Sequence, residues 1–571
     1  RRIYQRTKNN ENLRQERKLQ YQEGKRTYQA KLNQQKITTW KQFCTQTTSS
    51  NPWNAVYKLA SGKLQNKSFL TTLVTSTGKY TKDIESTIQH MLKHFTADDN
   101  IESDNDLQKQ TRHLATQPID TPNDVEFTET EISTALQKFK PNKAPGEDGL
   151  NAEILLQTFN LFPKLVTQIY NHCLKTACFP IPWKRSIVIP IIKPGKEDSN
   201  EASKYRPISL INVGGKLLEK LLIDRINHHI HSNGTLNNNQ YGFLPQKCTV
   251  DAALAAKEFI SNNLKQKKSV IMVSLDVKGA SDAAWWPSVL NNLRDIRCPK
   301  NLYDLTRDYL HDRVASIQIN NYRVERTATK GCPQGSCCSP GLWNIMYNSL
   351  LNLCFSRHTK TIAFADEIVL LTTGHTPTES EVYANADLAK IEKWARDNKI
   401  LFNDSKSRAM LITRKRKPKQ INIYLNNRKL AIVEHIKYLG IHFDHKLSFD
   451  NHIDNIARKS TTLIHMLGRT AKLTWGLGHK SLKTIYEGAI IPMIVYGAPV
   501  WGDALKKLAN LRKLQRVQRL INIKMIKGYR TISFDASCVI AGVPPIGLLI
   551  EEKIQLYRIK HNLERRELEY E

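Results

Sequence analysis

An α+β fold follows from three features of the sequence. Helical periodicity alternates with short β-rich runs between about residues 126 and 445, as at 187–192 and 270–275. From about 450 to 530 the pattern turns helical and basic. Hydrophobic residues make up 40 % of the 571, enough for several buried cores and too many for wholesale disorder.

The elements follow in order along the chain. Residues 1 to about 45 are polar and basic, with Arg14, Arg17, Lys18, Lys25 and Arg26 among few carboxylates, and fit a solvated helical linker better than a dedicated nucleic-acid arm. Residues 96–123, rich in Asp, Asn, Thr and Gln, predict a loose boundary, so that residues 1–124 form an N-terminal extension. Helical periodicity over 131–139 then runs into the turn-rich Lys143-Ala144-Pro145-Gly146-Glu147-Asp148-Gly149. Residues 125–445 form the mixed domain and 446–571 a mainly helical one.

Two segments bring acids to strand ends. Val270-Ile271-Met272-Val273-Ser274-Leu275 is a continuous apolar run suited to a buried strand, and it delivers Asp276. Thr361-Ile362-Ala363-Phe364-Ala365 runs into Asp366-Glu367 and leaves as Ile368-Val369-Leu370-Leu371, the pattern of a tight hairpin with the acids at its tip. Carboxylates on apolar strands are costly unless a divalent cation relieves their repulsion. Such a trio suits nucleotidyl transfer, in which two Mg²⁺ ions about 4 Å apart act on the two sides of a phosphoryl group. Taken alone, the acid pair also fits an exposed acidic turn.

Composition narrows the partners. Lys and Arg number 85 against 53 Asp and Glu, a formal charge of +32, which draws a polyphosphate or an acidic membrane surface. No apolar run reaches the roughly 18 residues of a spanning helix, and the stretch 489–501 is interrupted by Pro492 and Pro499. The chain begins at Arg1 with no secretory or other targeting segment and reads as a fragment. Ten cysteines fit a reducing compartment rather than a disulfide scaffold. Those at 173 and 178, and at 332, 337 and 338, lack the second pair of a zinc site and read as buried or loop thiols.

Ordered motifs then point to a family. Leu275-Asp276-Val277-Lys278-Gly279-Ala280-Ser281-Asp282 resembles the first palm motif of reverse transcriptases, Gly331-Cys332-Pro333-Gln334-Gly335-Ser336 the second, and Phe364-Ala365-Asp366-Glu367 the third. Trp394, Leu401-Phe402-Asn403 and Lys406 resemble the fourth, and Tyr438-Leu439-Gly440-Ile441 the fifth. Upstream, Lys143–Gly149, Trp183-Lys184, Lys193-Pro194-Gly195-Lys196, Tyr205-Arg206-Pro207-Ile208-Ser209-Leu210 and Gln240-Tyr241-Gly242-Phe243 resemble the fingers of non-LTR (LINE-type) retrotransposon polymerases. The likeness runs from about 125 to 450, more weakly to about 550, and is nearest to the arthropod Jockey and I-like groups at 282–286.

The resemblance implies a right-hand polymerase with α/β fingers, a palm built on an antiparallel sheet, and a helical thumb from about 446. It implies RNA-directed DNA synthesis from a DNA primer on an RNA template, with deoxynucleoside triphosphates and two Mg²⁺ ions, Mn²⁺ being a substitute. Asp276, Asp366 and Glu367 would hold the metals. Arg206, with Lys193 and Lys196, would lie on the triphosphate. Gln334 and Gly335 would lie beside the nucleotide, the glycine allowing close backbone approach. Lys406 would protonate pyrophosphate. Lys506, Lys507, Arg512, Lys513, Arg516 and Arg519 are suited to a template–primer backbone, part of that charge being needed for packing. The same resemblance implies nuclear and cytoplasmic work, no membrane, and an element RNA or an endonuclease domain outside this chain.

Two positions depart from the family. Glu367 stands where a second aspartate is usual, and Ser281 where a bulky aromatic normally occludes a 2′-hydroxyl. The serine predicts poor discrimination against ribonucleotides, which equal selectivity in Ser281→Phe would refute. Such substitutions also fit a catalytically impaired, nucleic-acid-binding relic. A viral RNA-dependent RNA polymerase shares acidic palm motifs, but the motifs at Lys143–Gly149, Arg206–Leu210 and Gln334 argue against it.

Overall fold

The computed structural model of the chain describes residues 2–6, 11–48, 53, 57–58, 72–75, 77–193, 196, 200–415, 420–470 and 478–561. It is a mixed α+β structure divided into two compact units, Ser68–Gly440 with Asp444–Leu447, and Arg1–Lys67 with Ile441–Phe443 and Ser448–Glu571.

Two sheets organise the first unit. β1 (Arg185–Ile192), β2 (Tyr205–Ile211), β4 (Val314–Ile319) and β5 (Tyr322–Thr327) form one, in the order β2-β1-β4-β5. β3 (Ser269–Leu275), β6 (Thr359–Phe364), β7 (Glu367–Gly374) and β8 (Arg408–Ile412) form the other with Ala431–Ile432 at its edge, ordered edge-β8-β3-β7-β6. The apolar run at 270–275 is thus a central strand, antiparallel to both β7 and β8. Ile271, Val273 and Leu275 are almost wholly buried in one large core with Ile368, Leu370 and helix residues such as Leu218 and Tyr347. A strand covered on both faces cannot alternate apolar and polar residues, which is why it reads as a block.

The sequence places residues 96–123 in a loose boundary, and the structure corrects this. Asp106–Thr116 is a helix, capped reciprocally by Asn105 and Gln108: each side chain accepts the other's amide N–H, at 2.8 and 2.9 Å. It is held by charge where apolar periodicity is absent. Arg112 lies 2.8 Å from both Asp99 and Asp104, and Lys399 pairs with the same two acids. Trp285 Nε1 donates to Asp99 at 3.1 Å. The preceding helix, Ile84–Phe95, buries Ile88, Met91 and Leu92 against Val188 and Ile317 of the four-stranded sheet. Residues 84–116 therefore fold with the mixed domain rather than as part of a separate extension.

The second unit is mainly helical over its described residues 448–470 and 478–561. Asp450–Thr470 packs on Leu508–Ile526, burying Ile453, Ile464, Leu514 and Ile521. Trp501 is fully buried, its indole N–H bonded to the Tyr496 carbonyl at 2.9 Å, whereas the Tyr496 ring itself is exposed. Glu11–Thr48 is one long helix with mostly exposed side chains, in keeping with its polar sequence. Among the described residues no single helix is long and apolar enough to cross a membrane.

Candidate active site

Asp276 is the first residue beyond β3, and its backbone is fixed from both sides. Its N–H donates to Ser407 Oγ at 3.2 Å and its carbonyl accepts the Asn403 N–H at 2.7 Å, while Ser407 Oγ donates to the Asn403 carbonyl at 2.8 Å. The same loop brings Lys406, whose ammonium lies 3.3 Å from Asp276 Oδ2. That oxygen is buried and, beyond this ion pair, accepts no hydrogen bond among the described residues.

Register brings the second acid to the first. Leu275 of β3 pairs with Ile368 of β7, so the start of β7 comes level with the end of β3. The tip of the β6–β7 hairpin is Ala365-Asp366, with Phe364 and Glu367 paired across it. Only Asp366 of the two acids is therefore in the turn; Glu367 is the first residue of β7. Ala365 has a left-handed φ of +57°, a conformation that surroundings must enforce in a non-glycine residue. Its N–H reaches Gln240 Oε1 at 3.3 Å, and its carbonyl accepts the Trp343 indole N–H at 3.2 Å. Gly242 packs directly on this turn, and its carbonyl accepts Asn344 Nδ2 at 2.8 Å.

The acids feel one another. Burial of the carboxyl is the main cause raising Asp366 above the usual range; its own amide opposes this and the charge of Asp276 adds to it. Glu367 is also raised, by burial and then by Asp366, but its carboxylate accepts the Leu439 N–H and feels Lys437, both of which lower it. Both side chains remain open to solvent, so burial here means protein packed around one side of each carboxyl. Among the described residues no three Asp, Glu, His or Cys side chains gather closely enough to hold an ion together. Asp366, raised in part by the charge of Asp276, together with Asp276 itself nevertheless suits a hard divalent cation completing its shell with water and phosphate.

Beside Asp366 lies a cavity of about 170 Å³ lined by Ala280, Gln334, Gly335, Ser336 and Trp343, among others. Gly335 has φ +129°, and a Cβ there would meet the Ser209 carbonyl oxygen at 2.5 Å. Gln334 is anchored by its carbonyl, which accepts the Ser209 N–H at 2.8 Å. Ser281 lies in the short helix Ala280–Ala283, and its side chain is outside those described.

Cations gather nearby. Arg206 is exposed on β2, and Lys193 donates to the Ser203 carbonyl at 2.7 Å. Burial lowers the Lys193 ammonium first, then the charges of Lys406 and Arg206 lower it further, while Asp282 raises it. Lys193, Arg206 and Lys406, separated in sequence, thus share one electrostatic neighbourhood. Lys196 is exposed and acts on Glu201 instead.

The basic segment at 506–519 is partly committed. Lys507 pairs with Asp450 at 2.7 Å and Lys513 with Asp454 at 2.6 Å, and Arg519 donates to the carbonyls of Ile532 and Arg530. Lys506 pairs with Asp503 at 3.2 Å while 85 % exposed. Arg512 and Arg516 are exposed on one helix face, with no ion pair among the described residues.

Sequence reasoning missed Gln240, Trp343, Asn344 and Ser407, which hold the two acid-bearing backbones. Gln240 stood in a quoted motif and Ser407 next to Lys406, but nothing in the sequence says where their side chains reach. Asp282, half-buried, was also passed over; burial drives its carboxyl up to about 7 against the pull of Lys193.

Strand-end acids, a neighbouring cavity and converging cations lie within residues 191–443, which match the reverse transcriptase (RNA-dependent DNA polymerase) family. The chain carries a reverse transcriptase domain. Over most of its length it is similar to proteins of non-LTR retrotransposons. It is 27 % identical over 540 residues to the 115 kDa protein of the type-1 retrotransposable element R1DM of Drosophila melanogaster, covering 94 % of this chain and 50 % of that protein. It is 26 % identical over 532 residues to the Pol polyprotein of the element R1 of Bradysia coprophila, covering 92 % and 51 %. Against the RNA-directed DNA polymerase of the mobile element jockey of Drosophila melanogaster it is 26 % identical over 457 residues, covering 76 % and 47 %. The chain spans about half the length of these relatives.

Proposed function

We propose that this chain is an RNA-directed DNA polymerase of a non-LTR retrotransposon, extending a DNA primer on an RNA template by nucleotidyl transfer. The observation that carries this reading is the convergence of Asp276 and Asp366 beside the Gln334–Gly335 cavity, with Lys193, Arg206 and Lys406 clustered nearby. In this reading the four-stranded sheet belongs to the fingers, the five-stranded sheet is the palm, and the helices from Asp450 onward are the thumb.

Asp276 and Asp366 would hold Mg²⁺, with Mn²⁺ a possible replacement. When bound, the ions activate a 3′-hydroxyl and offset charge on the departing pyrophosphate. The chain's own groups do the rest. Arg206 offers a planar, always-charged fork for the triphosphate, and Lys193 a partly desolvated ammonium that gains most from an anion. Gly335 keeps the cavity wall thin for the nucleotide, and Gln334 lies along it. Lys406, exposed and 3.3 Å from Asp276, would be the proton donor to the departing pyrophosphate. Arg512 and Arg516, with the loosely paired Lys506, are the cations left to contact nucleic-acid phosphates, whereas Lys507, Lys513 and Arg519 are engaged within their own unit.

Primer extension on poly(rA)/oligo(dT) tests the proposal. The chain is expected to extend the primer with Mg²⁺ or Mn²⁺, and Asp366→Asn to lose at least about a thousandfold in rate while staying folded. No extension with either metal, or extension that survives Asp366→Asn, would overturn it.

A further inference from the structure

Two buried polar side chains bond the segment that follows Gln334 and Gly335. Glu219 is fully buried on the helix Val213–Ser232, and Tyr309 on the helix Lys300–Leu310. A carboxyl and a phenol are costly in a core unless bonded, and apolar side chains would pack there more readily. Glu219 Oε2 accepts the Cys337 N–H at 2.7 Å, and the Glu219 carbonyl accepts the Cys338 thiol at 3.2 Å. Tyr309 Oη lies 2.8 Å from Ser336 Oγ, which also accepts the N–H of Cys338 at 3.0 Å and of Ser339 at 3.2 Å. Burial raises the Glu219 carboxyl above its usual range, while Arg313, the Cys337 amide and Ser336 pull it back. Arg313 is itself buried and donates to the Tyr309 carbonyl at 3.1 Å.

The bonded segment is one end of the loop that walls the cavity beside Asp366, since Gln334, Gly335 and Ser336 all line it. At the other end the Gln334 carbonyl accepts the Ser209 N–H at 2.8 Å. Gly335 between them has φ +129°, a conformation that its missing Cβ permits and nothing local enforces. A loop with such a glycine in its middle takes its shape from its anchors. Ser209 supplies one, and Glu219 with Tyr309 the other. Their two helices belong to the large core, where Leu217, Leu218, Leu305 and Leu310 are buried, so this anchor is as rigid as close packing makes it.

We propose that Glu219 and Tyr309 are positioning residues for nucleotide binding, holding the Ser336–Cys338 end of the loop so that Gln334 and Gly335 keep the cavity wall in shape. The nucleotide in this statement rests on the polymerase reading; the dependence of the loop on its two anchors does not.

Three variants of the full chain test it. Glu219→Gln keeps an acceptor at the same reach, and Glu219→Leu keeps the bulk without one. Both remove the counter-charge of Arg313, so the difference between them reads the hydrogen bond and not the charge. Tyr309→Phe removes only the hydroxyl beside Ser336. In steady-state extension of poly(rA)/oligo(dT), the KM for dTTP should rise about tenfold in Glu219→Leu and about fivefold in Tyr309→Phe, and stay within about twofold in Glu219→Gln, as for loss or retention of one buried hydrogen bond. The kcat and the duplex affinity should change little in all three. Hydrogen exchange at the Cys337 amide should be faster in Glu219→Leu than in Glu219→Gln.

Equal KM values in Glu219→Leu and Glu219→Gln would overturn the inference, because charge or packing would then be what matters. Losses of kcat and duplex affinity in step with KM would do the same, as they mark a residue that only holds the fold. If Glu219→Leu does not fold, Tyr309→Phe decides, and an unchanged KM there refutes the proposal. Should the parent extend no primer, the polymerase reading fails, and equal Cys337 exchange in the two Glu219 variants would separately refute the anchoring.

Discussion

Replacing Gly242 by alanine should disable the site through the backbone alone. A Cβ on Gly242 would lie 2.1 Å from the Ala365 nitrogen, 2.8 Å from its Cα and 2.9 Å from the Phe364 carbonyl carbon. Ordinary contact begins near 3.4 Å, and all three neighbours are backbone atoms that cannot rotate away. One segment must therefore give by more than an ångström. The Gly242 side is tied by its own N–H to Gln240 Oε1 at 2.9 Å and by its carbonyl to Asn344. The hairpin tip carrying Asp366 is the part with solvent on one side, so it takes up the shift. A misplacement of about 1 Å in a reacting group costs on the order of a hundredfold in rate, and overpacking of this kind destabilises by about 1–3 kcal/mol. Single-turnover primer extension should thus fall about a hundredfold in Gly242→Ala, with a modest loss in urea stability and little change in duplex affinity. Gly24, where an added Cβ meets nothing within 4 Å, is the control, and Gly24→Ala should be neutral or slightly stabilising. A folded Gly242→Ala protein within about threefold of the parent rate would refute the claim that this contact positions Asp366.

Three further outcomes are expected. Gly335→Ala combines a φ that L side chains avoid with a 2.5 Å clash on the Ser209 carbonyl, and should raise the KM for deoxynucleotide about tenfold or more at unchanged duplex affinity; an unchanged KM would detach this loop from nucleotide binding. Asp282 is raised by burial from 3.8 to about 7, so the unfolded chain releases this proton first and stability falls as pH rises from about 4 through 7, by at most about 4 kcal/mol. Asp282→Asn should flatten that fall between pH 5 and 8 in urea titrations, and an unaltered profile would show that another group causes it. Lys399→Met leaves two almost fully buried acids with Arg112 as their remaining cation, and should cost about 3 kcal/mol; a loss under about 0.5 kcal/mol would mean the cluster does not hold the 106–116 helix.

The sequence alone was enough to find β3, because a strand buried on both faces must be an uninterrupted apolar run, and enough to find the acid hairpin, because two such runs flank it. It also carried the family, through motifs whose residue types are set by chemistry at the site. It could not show that Ala365, rather than Glu367, shares the turn with Asp366, since either division of Phe364-Ala365-Asp366-Glu367 preserves the pattern. It mistook residues 96–123 for a loose boundary because the helix there is held by buried ion pairs with Lys399, far along the chain, and not by an apolar stripe. The pairing of Leu275 with Ile368 and the props from Gln240, Trp343 and Ser407 likewise join residues that local pattern treats as independent. Local periodicity decides which segments are strands and helices; which side chain reaches which distant backbone group is decided only when tertiary packing fixes their separation.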